Sequence, residues 1–244
     1  MAEPLDPDWL AIIERNVPYY HRLEPDMRRR MQGLVQVFLD EKLFEGCGDI
    51  EISDEIRITV AAHACILLLG HDAELYPKLR SVLVYPGTYM APLSRRGPGG
   101  VVTEGMQARS GESWSHGNVV LSWGDVLLCA SPNHTGRNVV LHEFAHQLDS
   151  ESGSDEGAPV LPHPDMYADW ASVLGKEYQS LIDAAEQGKP TLLDQYGATS
   201  PAEFFAVATE CFFEKPVEMS VVHPELYKQL KLFYRQDPAF LAAG

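Results

Sequence analysis

The stretch from Gly136 to Asp149 constrains this chain more than any other. It reads Gly-Arg-Asn-Val-Val-Leu-His-Glu-Phe-Ala-His-Gln-Leu-Asp. On a helix, residues four apart share a side, so His142 and His146 can direct two imidazoles at one ion. Glu143 follows the first histidine, where a carboxylate reaches a water on that ion without ligating it. Asn138, His142, His146 and Asp149 make one polar stripe, while Val139, Val140, Leu141, Phe144, Ala145 and Leu148 make the rest of the helix apolar. So apolar a helix is expected to be buried on most sides. A buried polar stripe must find partners, and a metal would supply them. The competing reading, two histidines four apart on a surface helix, is disfavoured by those apolar neighbours.

The 244 residues suffice for one large domain or two small ones, and 45% are hydrophobic, enough for a substantial core. The formal net charge of -16 argues against a nucleic-acid partner, which needs a basic face. Cys47, Cys65, Cys129 and Cys211 form no Cys-x-x-Cys pair, and three lie in apolar runs, as reduced, buried thiols do. The first residues show no signal-peptide pattern, and the longest apolar run, Val60 to Leu69, contains His63 and is too short to span a bilayer. A soluble, cytoplasmic protein without a membrane partner is expected.

Trp9 to Asn16 reads as a short helix stopped by Pro18. A longer one is expected from about Asp26 to Phe44, with Met27, Met31, Leu34, Val35, Phe38 and Leu39 at helical spacing and Arg28-Arg29-Arg30 as its solvated side. Gly46-Cys47-Gly48 breaks the chain. Ser53 or Asp54 then caps a helix from about Glu55 to Leu69, ended by Gly70, with His63 packing at the edge of its buried face. Ser81 to Tyr85 reads as a strand, Pro92 to Gly100 as a loop, and Val101 to Gln107 and Asn118 to Trp123 as further strands. The last of these either binds an extended substrate by β-augmentation or lies inside the core. His116 and His134 fall on flanking loops and read as solvated. A helix is expected from about Asp165 to Gln187. No linker divides the chain, so one domain is expected over 1–244, with a helical N-terminal part at about 9–75 and a catalytic part at about 80–240.

A catalytic zinc takes three protein ligands and keeps one position open. The third must come from downstream, and Tyr196 to Glu210 is the best stretch. Pro201 suits the first helical position after a Ser200 cap, and the helix is apolar apart from Glu203 and Glu210. These acids stand about 10 Å apart along a helix axis and cannot share one zinc. Glu203 has a competing role in a capping box with Ser200. The residues alone rank Glu203 ahead of Glu210 and of a ligand elsewhere.

His142-Glu143-x-x-His146 followed by Tyr196-x6-Glu203-Phe-Phe-Ala resembles the gluzincin-type centre of the anthrax lethal factor peptidase domain. Over most of its length the chain is similar to the Mlc titration factor A family of bacterial zinc-dependent peptidases, the glucose-regulated metallopeptidases. The similarity runs through Phe44-Glu45-Gly46-Cys47-Gly48, Ala61-Ala62-x-Ala64-Cys65, Ser110-Gly111-x-Ser113-Trp114, the histidine helix, Tyr196-x-Ala198-Thr199-x-Pro201-Ala202-Glu203, and Phe233-Tyr234-x-Gln236-Asp237-Pro238.

The resemblance implies an α+β, zincin-like peptidase domain, with a small mixed sheet beside the active-site helix and a helical N-terminal part. It implies one Zn2+ per chain on His142, His146 and Glu203, with Glu143 as general base toward a zinc-activated water and Tyr196 facing the oxyanion. Tyr196 otherwise reads as a core tyrosine. Glu210 and Asp149 become candidates for orienting a ligand histidine through its other nitrogen. The implied activity is hydrolysis of a peptide or protein substrate, with endopeptidase and aminopeptidase action both open. The resemblance also implies a reading of another class, a regulatory protein that sequesters a Mlc-type transcriptional repressor. A purely structural zinc is a third reading, against which Glu143 beside the ligands argues.

Overall fold

Prolines set the starts of the first three helices. The computed structural model describes residues 4–71, 74–96, 102–109, 111–114, 117–131, 136–153 and 156–242. Helices α1 (Pro7–Asn16), α2 (Pro18–Arg22) and α3 (Pro25–Glu41) each carry proline in the first turn, where its missing N–H removes no intrahelical bond. Pro18 thus opens a helix as well as ending one.

The chain leaves α3 at Glu41, and Leu43–Gly46 forms strand β1. Phe44, expected at a helix end, instead lies opposite Val82 of strand β2 (Ser81–Tyr85). A four-residue strand directly after an apolar helix carries too short a pattern to be told from that helix. Between β1 and β2 lies α4 (Asp54–Ile66), whose Ser53 cap accepts the Ile56 N–H. It ends at Ile66, short of the expected Leu69. His63 is fully enclosed rather than at the edge of the face, with Nδ1 3.0 Å from the Thr59 carbonyl oxygen.

Strands β3 (Tyr89–Arg96) and β4 (Val102–Arg109) pair antiparallel as a separate ribbon. Pro92 to Arg96, expected as loop, is therefore strand; a two-stranded ribbon consists only of edges, where proline is tolerated. Residues 97–100, His116 and His134 lie outside the described residues. Strands β5 (Gly111–Trp114) and β6 (Asn118–Ser122) complete a four-stranded sheet in the order β1-β2-β6-β5, the first three parallel and β5 antiparallel to β6. The strand before the histidine helix, β6, is thus internal, and β1 and β5 hold the two edges. Trp123 is not strand but opens α5 (Trp123–Cys129), capped by Ser122.

The remainder is helical: α6 (Val139–Glu151), α7 (Met166–Glu186), a 3₁₀ turn (Gln195–Thr199), α8 (Pro201–Glu214), α9 (Pro216–Val222), α10 (Pro224–Tyr234) and α11 (Pro238–Ala242). The architecture is α+β, mostly helical with a small sheet. Buried side chains from Leu5 to Tyr234 form one continuous cluster in which α6 and α8 are embedded. Phe144 of α6 meets Tyr76 and Phe38 at ring-centroid distances of 4.8 and 5.8 Å, and α8 buries Phe204, Phe205, Phe212 and Phe213. Each such ring contributes roughly 1.5–3 kcal/mol on burial, so the helices that carry the polar groups below are held firmly. Among the described residues no helix is long and apolar enough to cross a membrane.

Candidate metal centre

The polar stripe of α6 divides by role. Asn138 is the helix cap: its Oδ1 accepts the Leu141 N–H at 3.1 Å and its Nδ2 donates to Glu214 Oε1 at 2.7 Å. Asp149 is wholly buried, and its Oδ2 accepts the Gly157 N–H at 2.8 Å, which braces the chain beyond the helix. Between them, the His142 and His146 rings stand 5.0 Å apart, centroid to centroid.

Helix α8 brings the carboxylates. The Ser200 hydroxyl caps it by accepting the Glu203 N–H at 3.2 Å. The Glu203 side chain turns to the histidines, with Oε2 3.0 Å from His142 Nε2 and 3.4 Å from His146 Nε2. One ligand atom from each of His142, His146 and Glu203 lies within 4.8 Å of the others, and no other group of this kind occurs among the described residues. Glu210, two turns on, takes the far side of His142: its Oε1 is 2.8 Å from Nδ1, and its Oε2 accepts the Asn138 N–H at 2.6 Å.

Tyr196 is no core tyrosine. It is 45% exposed, its hydroxyl donates to Glu203 Oε1 at 3.2 Å, and its ring tilts against His142. Glu143 is buried beside the pair. Arg137 and Asp194, which no motif singled out, join across 57 residues at the rim, with Arg137 Nε donating to Asp194 Oδ2 at 2.7 Å. Nothing in the local sequence of either residue signals that pairing.

Burial alone would lower the pKa of His142, but the Glu203 and Glu210 carboxylates outweigh it and hold it well above the usual histidine range. For Glu203 burial raises the pKa, and the two histidines reverse that and hold it well below the carboxylate range. Glu143 goes the other way: desolvation pushes it up to about 7 despite the pull of His142 and His146.

Two imidazole nitrogens and one carboxylate oxygen on packed helices, with His142 Nδ1 already engaged by Glu210, form a donor set that suits zinc. Fold and site together define a helical α+β protein with a His/His/Glu group fit for a divalent metal ion. Residues 1–235 match the family described as glucose-regulated metallo-peptidase M90, and the chain belongs to that family. It is 41% identical to an uncharacterized protein of Synechocystis over 96% of this chain and 86% of the relative. It is 31% identical to the Mlc titration factor A of Pectobacterium atrosepticum, over 94% of this chain and 86% of the relative. Against that of Salmonella arizonae it is 30% identical, over 95% and 92%.

Proposed function

We propose that this chain is a zinc metallopeptidase of the gluzincin type, one zincin-like domain over 1–244, in which His142, His146 and Glu203 hold one Zn2+. When bound, the ion supplies Lewis acidity that polarises a scissile carbonyl and makes water more acidic. The observation that carries the reading is the Glu203 carboxylate, which leaves its own helix cap to meet both histidine Nε2 atoms.

The roles of the other residues follow from their surroundings. Glu143, pushed up to about 7 by burial, can accept a proton from attacking water near neutrality and pass it to the leaving amine. The Tyr196 hydroxyl stands at the open rim as a donor for the oxyanion. Glu210 occupies His142 Nδ1, so Nε2 is the nitrogen that would hold the ion. An extended peptide would add to β5, the edge strand that packs against the histidine helix, since β6 has a neighbour on both sides. The four cysteines are free, which suits the reducing cytoplasm.

Zinc analysis of the purified protein, with hydrolysis of chromogenic peptides bearing free or blocked N-termini, tests the reading. Turnover that a chelator abolishes and zinc restores is expected, and the two substrate types separate aminopeptidase from endopeptidase action. Stoichiometric zinc without turnover of either type would sink it.

A second reading, a protein that sequesters a Mlc-type repressor, is favoured by the relatives named Mlc titration factor A and by a net charge of -16 suited to a basic surface. Pull-down of a Mlc-type repressor by the zinc-free protein tests it.

A further inference from the structure

We propose that Arg137 and Asp194 form a positioning pair that sets the Tyr196 hydroxyl at the rim of the His142/His146/Glu203 group. Tyr196 is half-exposed, so its placement depends on the backbone corner that carries it as well as on its contacts with His142 and Glu203. The 3₁₀ turn is seated at its rear by Gly197, where a side chain would press on Leu181, Val207 and Phe204 at 3.1 to 3.4 Å. The corner that bears Tyr196 depends on Asp194, whose Oδ1 accepts the Tyr196 N–H at 2.9 Å. The other oxygen of the same carboxylate holds the Arg137 guanidinium through both Nε and an Nη. Arg137 immediately precedes Asn138, the cap of the histidine helix. One carboxylate therefore ties the turn that carries the tyrosine to the start of the helix that carries His142 and His146.

The pair is open to water, with the Arg137 side chain 68% exposed and that of Asp194 31%. Exposed pairs add little to stability, so this one matters through placement. Without the guanidinium, the Asp194 cap can rotate and Tyr196 drift from Glu203; displacement by about 1 Å can lower a rate by up to about a hundredfold. The effect on turnover rests on the peptidase reading; the effect on the tyrosine does not.

The test uses the full-length protein labelled with 3-fluorotyrosine. Of ten tyrosine 19F signals, the one missing in Tyr196→Phe is Tyr196. In Arg137→Ala that signal should narrow and move toward the solvated value, with melting temperature and zinc content unchanged. Arg137→Lys should restore part of the shift. In the active, zinc-loaded protein, Arg137→Ala should lower kcat by about tenfold with KM nearly constant, and should add nothing in a Tyr196→Phe background. An unmoved Tyr196 signal overturns the proposal, and a moved signal with wild-type kcat overturns its link to turnover. A moved signal in a protein that never hydrolyses peptides supports the pair and sinks the peptidase reading instead.

Discussion

His142 Nδ1 and Glu210 Oε1 lie 2.8 Å apart, and the other Glu210 oxygen takes the Asn138 N–H, so one buried carboxylate fixes both the ring and the start of its helix. Replacing Glu210 by Gln keeps an acceptor for the ring but removes the charge that makes His142 more basic. Metal affinity, measured by competition with a chromophoric chelator, should fall by about tenfold to a hundredfold. Unchanged affinity would reduce Glu210 to a brace for the helix cap.

Burial pushes the Glu143 carboxyl up to about 7, whereas Glu203, which meets both histidines, is held well below the carboxylate range. Glu143→Gln is nearly isosteric and touches no proposed ligand atom. It should keep one zinc per chain and lower kcat by about a hundredfold or more, the range for loss of a general base. Wild-type turnover in this variant would exclude the mechanism.

The histidine helix was legible because its signal is local: four-residue spacing, an asparagine cap and apolar neighbours all lie within one stretch, and Val139–Glu151 is that helix. Glu203 was half legible. The Ser200 cap and Pro201 announced the helix, but the same residues made a capping box an equal use of the acid, and only the packing of α8 on α6 decides where the carboxylate turns. The Arg137–Asp194 link was illegible, being made by chain ends that meet only in the folded state. Strands β1 and β3 were missed for another reason: pairing in three dimensions, not alternation along the chain, makes Phe44 and Pro92 extended, whereas β4 was foreseen at Val101 to Gln107.

Stability should depend on pH through Glu151, the last residue of α6. Burial pushes its carboxyl up to about 7, against the pull of Lys78 and Lys42, and a negative charge at a helix C-terminus is itself unfavourable. An acid with a raised folded pKa binds more protons folded than unfolded between its two pKa values. Stability from this group is therefore greatest below about 4.5 and declines as pH rises to about 7. Because the group is partly solvated, screening limits the change to about 1 kcal/mol. Urea unfolding at both ends of that window should show Glu151→Gln gaining on wild type as pH rises. A constant difference would mean that Glu151 titrates normally.

The same substitution at two glycines should have opposite signs. At Gly46, the end of β1, a Cβ would stand 2.0 Å from the Ile50 carbonyl oxygen, a backbone atom that cannot move without dragging the connection into α4. Gly46→Ala should therefore cost about 1–3 kcal/mol, as overpacking does. At Gly33, inside α3, a Cβ meets nothing within 4 Å and the backbone is helical. There alanine restricts the unfolded chain without a clash, and Gly33→Ala should gain about 0.4–1 kcal/mol. Denaturant midpoints of the two variants, compared at equal m-value, check both. If Gly46→Ala is neutral, the turn after β1 relaxes easily, and the tight Gly46–Ile50 approach does not fix the path from the sheet into α4.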